Sequence, residues 1–486
     1  MTVIDRELVE SFSLEIIANS KKISRDCLKV STYNFPSNSS IKIIQILSIL
    51  ATFIEESTKS VYKDIDWDDP NQIKSSFVML RNFKSLVQQL SADLQYIENS
   101  KMSKVPSGLS SPLQNIAQNI EADVEILLLQ QWVYNYSINT NNRIHRYKAI
   151  SQKLSPYISD ELNEKIEPYL ENPIYSISFP SLEKNNILLY SVLGHEIGHL
   201  VADKNYDEFK TQFYGTNTNN VQNTLFKFYT NNSSLYKSKS HFLQIINFIE
   251  KRLYDELLSD VVGAIIFGPA MLFSMYEFSQ QFDIDTTPED KNNFYPPWRA
   301  RLRIIYNTII KFIPSFQTYR NISSEHLYFD INLLNRLIKI EEIINKTSDL
   351  ERMEVEDNLT FIIYTQVTTI IDTSLLNKLL IDLDRNNFNE DEFFDRINKL
   401  SIRLKHCIPP NTTNDLDINS NANLYEIINS AWKNRLSWEP KIFDDEGNFN
   451  EKYLHERKKL NKLTLKAIEY ANLTKEYNNF INGVEN

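Results

Sequence analysis

Apolar residues recur every three or four positions along most of this sequence, as in IKIIQILSILATFIEE, IKSSFVMLRNFKSLVQQLSADLQYIE and LQNIAQNIEADVEILLLQQWVYNY. That spacing places them on one face of an α-helix, so it predicts successive amphipathic helices over residues 1–150 and again over 316–486. Turns at DWDDPNQ, SKVPSGLSSP, DLDRNNFNED, IPPNTTNDLD and DDEGN separate the helices. In the central region, 151–315, one short β-prone stretch, ENPIYSISFPSLEKN, stops at Pro180, and Ser181 with Glu183 reads as the opening of the next helix. Residues 204–240, rich in Asn, Thr, Tyr and Ser, read as a long surface excursion with little regular structure, of the kind that builds lids and substrate rims. The expected fold class is mainly α, with a small β element at most.

Several function classes fall away on charge and motif. A net charge of −11 disfavours a sequence-independent grip on nucleic acid or anionic lipid, which needs clustered cations. The start, MTVIDRELVESFSLEI, has acids where an export signal has a basic segment. The uncharged apolar runs Ile43–Ile54 and Val261–Tyr276 are shorter than the roughly 20 residues that span a bilayer, and read as buried core helices. Cys27 and Cys407 fit no zinc-ribbon or redox spacing, so reduced thiols in a cytoplasmic protein are expected, with neither nucleic acid nor membrane as partner. There is no P-loop and no G-x-G-x-x-G. A calcium loop beginning at Asp382 fails, because Asn387 and Phe393 stand where Gly and Glu are needed.

One stretch resists a purely structural explanation. LLYSVLGHEIGHLVADK, residues 188–204, carries His195, Glu196 and His199 inside an otherwise apolar helix. Residues four apart on a helix differ by about 40° in azimuth and one turn in rise, so the two imidazoles can hold one ion. Glu196 projects beside them as a base rather than a ligand, the logic of the H-E-x-x-H motif. The third ligand is found in YDELLSDVVG, where Glu256 and Asp260 share a helix face. Glu256 completes a His₂Glu set, and Asp260 is placed to accept the free N–H of His195 and fix its tautomer. Two solvated acids on an outer face would be the alternative, but ELLSDVVGAIIFG is too apolar for a surface helix.

Glycine placement adds an independent argument. Of eight glycines in the chain, Gly194 and Gly198 sit one turn apart in the first segment, and Gly263 and Gly268 follow Glu256. Glycine within a helix costs roughly 0.5–1 kcal/mol relative to alanine, so this placement implies that two helix backbones approach closely. The other histidines, His145, His241, His326, His406 and His455, lack ligand spacing; His241, between the two segments, is the one that can line a cleft.

These residues give the chain a family likeness. An H-E-x-x-H helix joined by a later E-x-x-x-D helix resembles the gluzincin-type zinc metallopeptidases, here through His195, Glu196, His199, Glu256 and Asp260. NFYPPWRARLRIIYN resembles the His-Pro segment of one subgroup, with Pro296 and Arg303 in matching places and Tyr295 where that subgroup has His. IPPNTTNDLDINSNANLYEIINSAW is similar, at Pro409, Pro410, Asn411, Asn429 and Trp432, to a pattern in large helical bacterial proteins with the same peptidase motifs, and Trp432 is expected in the core. The resemblance implies a zincin-like core over 151–315, a Zn²⁺ cofactor held by His195, His199 and Glu256, Glu196 as general base, and a protein or peptide substrate. Tyr295, Arg299 or Arg301 would then steady the developing oxyanion or a substrate carboxylate, although RARLR also reads as a solvated or ion-paired helix face. The rival expectations are a catalytically silent helical interaction module whose metal is structural or absent, and a metal hydrolase acting on a non-peptide bond.

Overall fold

The computed structural model describes residues 6–484 apart from 140–142, 159, 216–218, 282–283, 285–294, 319–330, 347–358, 384, 386–387, 415–419, 438–447 and 449. The fold is mainly α with one small three-stranded sheet. The chain divides into two compact units, Met1–Lys184 and Asn185–Asn486, at a boundary that falls inside the region read as one core, 151–315.

The first unit is built on three long helices, α1 (Arg6–Ser31), α2 (Asn38–Lys63) and α3 (Pro70–Ile97). Ser37 and Asp69 cap α2 and α3 by accepting backbone N–H groups, and Pro70 stands in the first turn of α3, where its missing donor costs nothing. Ile43, Leu47, Leu50 and Ile54, at helical spacing in α2, are fully buried. After α4 (Ser107–Ile120) comes the main departure from the sequence reading. EILLLQQ, read as the end of an amphipathic helix, forms strand β1 (Glu125–Gln131). Its unbroken apolar run is the pattern of a strand buried on both faces, which periodicity alone does not distinguish from a helix. β1 pairs in parallel with β3 (Ile174–Pro180), and β2 (Ser137–Asn139) pairs with β3 in antiparallel sense, giving the order β1-β3-β2. The Gln114 side chain on α4 donates to the Val124 carbonyl and accepts from the Ile126 N–H at 2.7 Å, tying the helix to the strand edge. The helices α5 (Arg143–Leu154) and α6 (Asp160–Ile166) lie in sequence between β2 and β3.

The stretch from Ser181 does not open a helix: it forms a 3₁₀ turn (Ser181–Glu183) at the end of the first unit, and the second unit begins with another (Ile187–Ser191) before α7 (Val192–Tyr214). Residues 204–240, read as an irregular excursion, are largely helical: α7 runs through to Tyr214 and α8 covers Asn219–Asn231. Phe209, Phe213, Leu225 and Phe228 are buried in them, so the polar residues belong to outer faces rather than to a coil. The unit continues with α9 (Lys239–Phe267), α10 (Pro269–Ser279), α11 (Trp298–Phe312), α12 (Ser315–Thr318), α13 (Ile331–Asn345), α14 (Leu359–Asp382), α15 (Glu390–Lys405), α16 (Leu424–Leu436) and α17 (Glu451–Val484). Among the described residues α14 alone is long and apolar enough to cross a membrane, and half of its apolar window is buried within the fold.

The apolar run Val261–Tyr276 is split between α9 and α10 at Gly268, whose φ of +56° suits glycine and few other residues. Asn429 spans this break. Its side-chain oxygen accepts from the Ala270 N–H at 2.9 Å, and its amide donates to the Phe267 and Tyr425 carbonyls, each at 2.8 Å. Trp432, in the core as expected, donates its indole N–H to the Leu188 carbonyl at 3.0 Å and also lies 3.1 Å from Ser274 Oγ. These two residues fasten α16 to the end of α9 and to the segment entering α7.

Candidate metal centre

The candidate site lies where α7 packs along α9. A Cβ placed on Gly198 would stand 2.6 Å from the Cα of Ser259, and one on Gly263 would stand 3.0 Å from the backbone nitrogen of His195. Gly194 faces the same rung, with Gly263 Cα 3.2 Å from where its Cβ would be. The helices therefore meet backbone to backbone over one turn, the close approach that the glycine spacing implies. Any larger residue there would push α9, and Glu256 with it, away from α7.

The approach gathers His195, His199 and Glu256, whose ligating atoms all lie within 4.8 Å of one another. His195 and Glu256 are buried and His199 is half-buried. The two imidazole rings are 4.8 Å apart between centroids and nearly perpendicular, at 80°. Nδ1 of His195 lies 2.8 Å from Asp260 Oδ1, which fixes that nitrogen as the donor and turns Nε2 towards Glu256 Oε2, 3.5 Å away. Two imidazole nitrogens and one carboxylate oxygen gathered this closely, with the carboxylate of Asp260 behind His195, form a donor set that could hold one divalent metal ion.

The charges of the site come mostly from residues outside that set. Arg301, on α11, donates from Nε to Asp260 Oδ2 at 2.7 Å and from a terminal nitrogen to Oδ1 at 2.8 Å. The same terminal nitrogen lies 3.2 and 3.3 Å from the two ring nitrogens of His195, near-equal distances that lay the guanidinium against the ring. Its other terminal nitrogen is 3.5 Å from Glu256 Oε2, and Trp298 covers it with the ring centroid 4.7 Å from Cζ. Arg252, one turn before Glu256, stands 3.5 Å from its second carboxylate oxygen.

Burial pushes Glu256 towards neutrality, but the hydrogen bond from His195 and the charge of Arg301 override it and bring its pKa down to about 2. Burial also works against a charged His195; the negative charge of Asp260 prevails and raises its pKa to about 9. His199 goes the other way, to about 4, through burial and then the positive charge of His195. At neutral pH, without a metal, the cluster holds cationic His195 and Arg301 against anionic Glu256 and Asp260, and its charges balance. A cation entering the site must then displace the proton on His195 Nε2.

The other expected site residues fall unevenly. Glu196 is buried beside His195, and its negative charge contributes to the raised pKa values of Arg301 and Tyr295. Tyr295 is half-buried, with Arg252 stacked 4.3 Å from its ring centroid; burial first and the charge of Glu256 next keep its phenol protonated, hence a donor. Arg303, matched by resemblance, turns instead to the carbonyls of Ile344 and Lys346 at the end of α13, at 2.8 and 3.0 Å from its Nε and a terminal nitrogen. Arg299 and Arg301 are buried, so RARLR is an ion-paired face in the case of Arg301 but not a solvated one. His241 opens α9, 15 residues before Glu256, which at 1.5 Å rise per residue puts it about 22 Å away and outside the site. His145, His406 and His455 are exposed; His326 and the sixth position of the failed calcium loop, Asn387, lie outside the described residues. Arg252 is the site residue that the sequence reading passed over, although its place four residues before Glu256 put it on the ligand's face of α9.

No protein-family model matches this chain, and no curated protein or solved structure does either.

Proposed function

We propose that the protein is a zinc-dependent metallopeptidase that hydrolyses peptide bonds of a protein or peptide substrate. The observation that carries the reading is the convergence of His195 Nε2, His199 and Glu256 within 4.8 Å, with Asp260 fixing the tautomer of His195. When bound, zinc supplies a Lewis acid for a carbonyl oxygen and lowers the pKa of a water towards about 7. Glu196 is the base: adjacent to His195 and buried, it accepts the proton of the attacking water and passes it to the leaving amine. Tyr295, protonated and within the field of Glu256 and Glu196, donates a hydrogen bond to the developing oxyanion. Arg301 holds Asp260 by two hydrogen bonds and so keeps His195 in register.

The test is cleavage of casein or a peptide library, with and without chelator. Wild-type protein is expected to cleave, chelator to stop it, and Glu196→Gln to abolish cleavage while retaining metal. Full activity in Glu196→Gln defeats the assignment of the base. A second reading, a catalytically silent helical module, is favoured by the charge balance of the cluster, which His195, Arg301, Glu256 and Asp260 reach with no cation. In its metal-free form it predicts no stoichiometric zinc, and with or without a structural metal it predicts no cleavage.

A further inference from the structure

Away from the candidate metal centre, the second unit has a half-open cavity of about 450 Å³ between α10, α13, α16 and the start of α17. That volume lies within the roughly 300–1,000 Å³ typical of small-molecule sites. Its lining is unusual for a chain of net charge −11, because Arg336 and Lys339 of α13 and Arg435 of α16 face a single acid, Glu277. That acid is already paired, with Arg457 at 3.2 Å and Arg435 at 3.6 Å. Arg336 and Lys339 have no acidic partner among the described residues, and Nε of Arg435 is buried with no hydrogen-bond acceptor.

Aromatic rings set the guanidinium groups in place. Arg336 lies 5.6 Å from the centroid of Tyr276, and Arg435 lies 5.5 Å from that of Tyr453, whose hydroxyl it also contacts. Such stacking orients the planar fork of Arg336 and leaves its N–H edge available to the oxygens of a phosphate group, whereas the terminal nitrogens of Arg435 are taken by Tyr453 and Glu277 and only its Nε–H lacks an acceptor. A lone carboxylate or a lone phosphate would answer one of the two unpaired cations and leave most of the volume empty.

We propose that this cavity binds an oligophosphate group, free or carried by a nucleoside, with Arg336, Lys339 and Arg435 as its anion-binding residues. The assignment is independent of the metal centre. It is tested by calorimetric titration of the full chain with pyrophosphate, tripolyphosphate and ATP, with sulfate as a general-anion control. Saturable binding at one site per chain is expected, weakened by added salt and by at least about tenfold in the double variant Arg336→Glu/Lys339→Glu, since a reversed charge pair forfeits more than 1.4 kcal/mol. Comparable binding of tripolyphosphate and ATP assigns the free oligophosphate; binding of ATP alone assigns the nucleoside-borne group. Three results overturn the proposal: no saturable binding of any of the three, binding unchanged in the double variant, or binding lost in His199→Ala, which would place the phosphates on a metal instead. Circular dichroism and melting of the double variant separate lost binding from lost fold, because both replaced side chains are exposed and make no ion pair among the described residues.

Discussion

The two charged regions of the second unit solve opposite problems. In the candidate metal centre the charges of His195, Glu256, Asp260 and Arg301 are buried and answered: Asp260 by Arg301 and His195, Glu256 by His195, Arg301 and the half-buried Arg252. In the basic cavity the cations of α13 are exposed and have no acidic partner among the described residues, and the one acid described in its lining is shared between two arginines of other helices. A buried ionised group without a partner costs several kcal/mol, so a site such as the first must be complete before it can be buried. An exposed cation costs little by comparison and can await its counter-ion. The first region should therefore govern stability as well as chemistry, and the second should govern binding alone.

That contrast breaks most readily at Asp260. Asp260→Asn leaves Arg301 buried against a neutral partner and should cost about 3–5 kcal/mol of unfolding free energy in metal-free protein, measured by urea denaturation. Metal affinity should fall by about 10–100-fold as His195 loses its fixed tautomer. A cost under 1 kcal/mol would mean that the cluster is not held as the contacts describe. Next in size is Gly198→Ala, whose new Cβ meets backbone at 2.6 Å. It should cost about 1–3 kcal/mol and reduce metal uptake together, because the strain is relieved by moving α9 away. The same substitution at Gly215, outside the α7–α9 contact, serves as the control for metal uptake.

Proton competition comes third. Between a pH near 4, where His199 titrates, and about 9, where His195 does, one proton must leave as the cation binds. Apparent metal affinity should therefore rise about tenfold per pH unit up to about 9, and isothermal titration in buffers of different ionisation enthalpy should count close to one proton released. Without metal the sign reverses for stability. The raised pKa of His195 gives a contribution fully present below its unfolded value of 6.5 and lost as pH rises through about 9, whereas that of Glu256 is present above 4.5 and lost as pH falls through about 2. Smallest of all, Arg336→Glu/Lys339→Glu should change unfolding free energy by less than about 0.5 kcal/mol. A larger loss would make the cavity cations structural after all.

What the sequence revealed follows the range over which each signal acts. Helix periodicity and the four-residue spacings within α7 and α9 are local, and they put His195 beside His199 and Glu256 beside Asp260 without tertiary information. Glycine scarcity carried one piece of long-range information, because Gly194, Gly198 and Gly263 are explicable only by the helix they face. β1 was lost because a fully buried strand has no alternation to separate it from a helix. The helical character of residues 204–231 was hidden by polar outer faces whose buried partners, Phe209, Phe213 and Phe228, are spaced by tertiary need. Arg301 stayed ambiguous because its sequence neighbours do not reveal that the face it occupies on α11 meets α9 rather than water; a buried counter-ion is visible only once the acids it answers are in place.

Metal content bears most directly on the central claim, that α7 and α9 together grip one divalent cation. Purified wild-type protein, dialysed and assayed by elemental analysis, should hold one zinc per chain. Glu196→Gln should hold the same, while Glu256→Ala, confirmed as folded by circular dichroism, should hold none. Wild-type protein that takes up no zinc at pH 8 under saturating metal, or Glu256→Ala that retains it in full, would contradict the account.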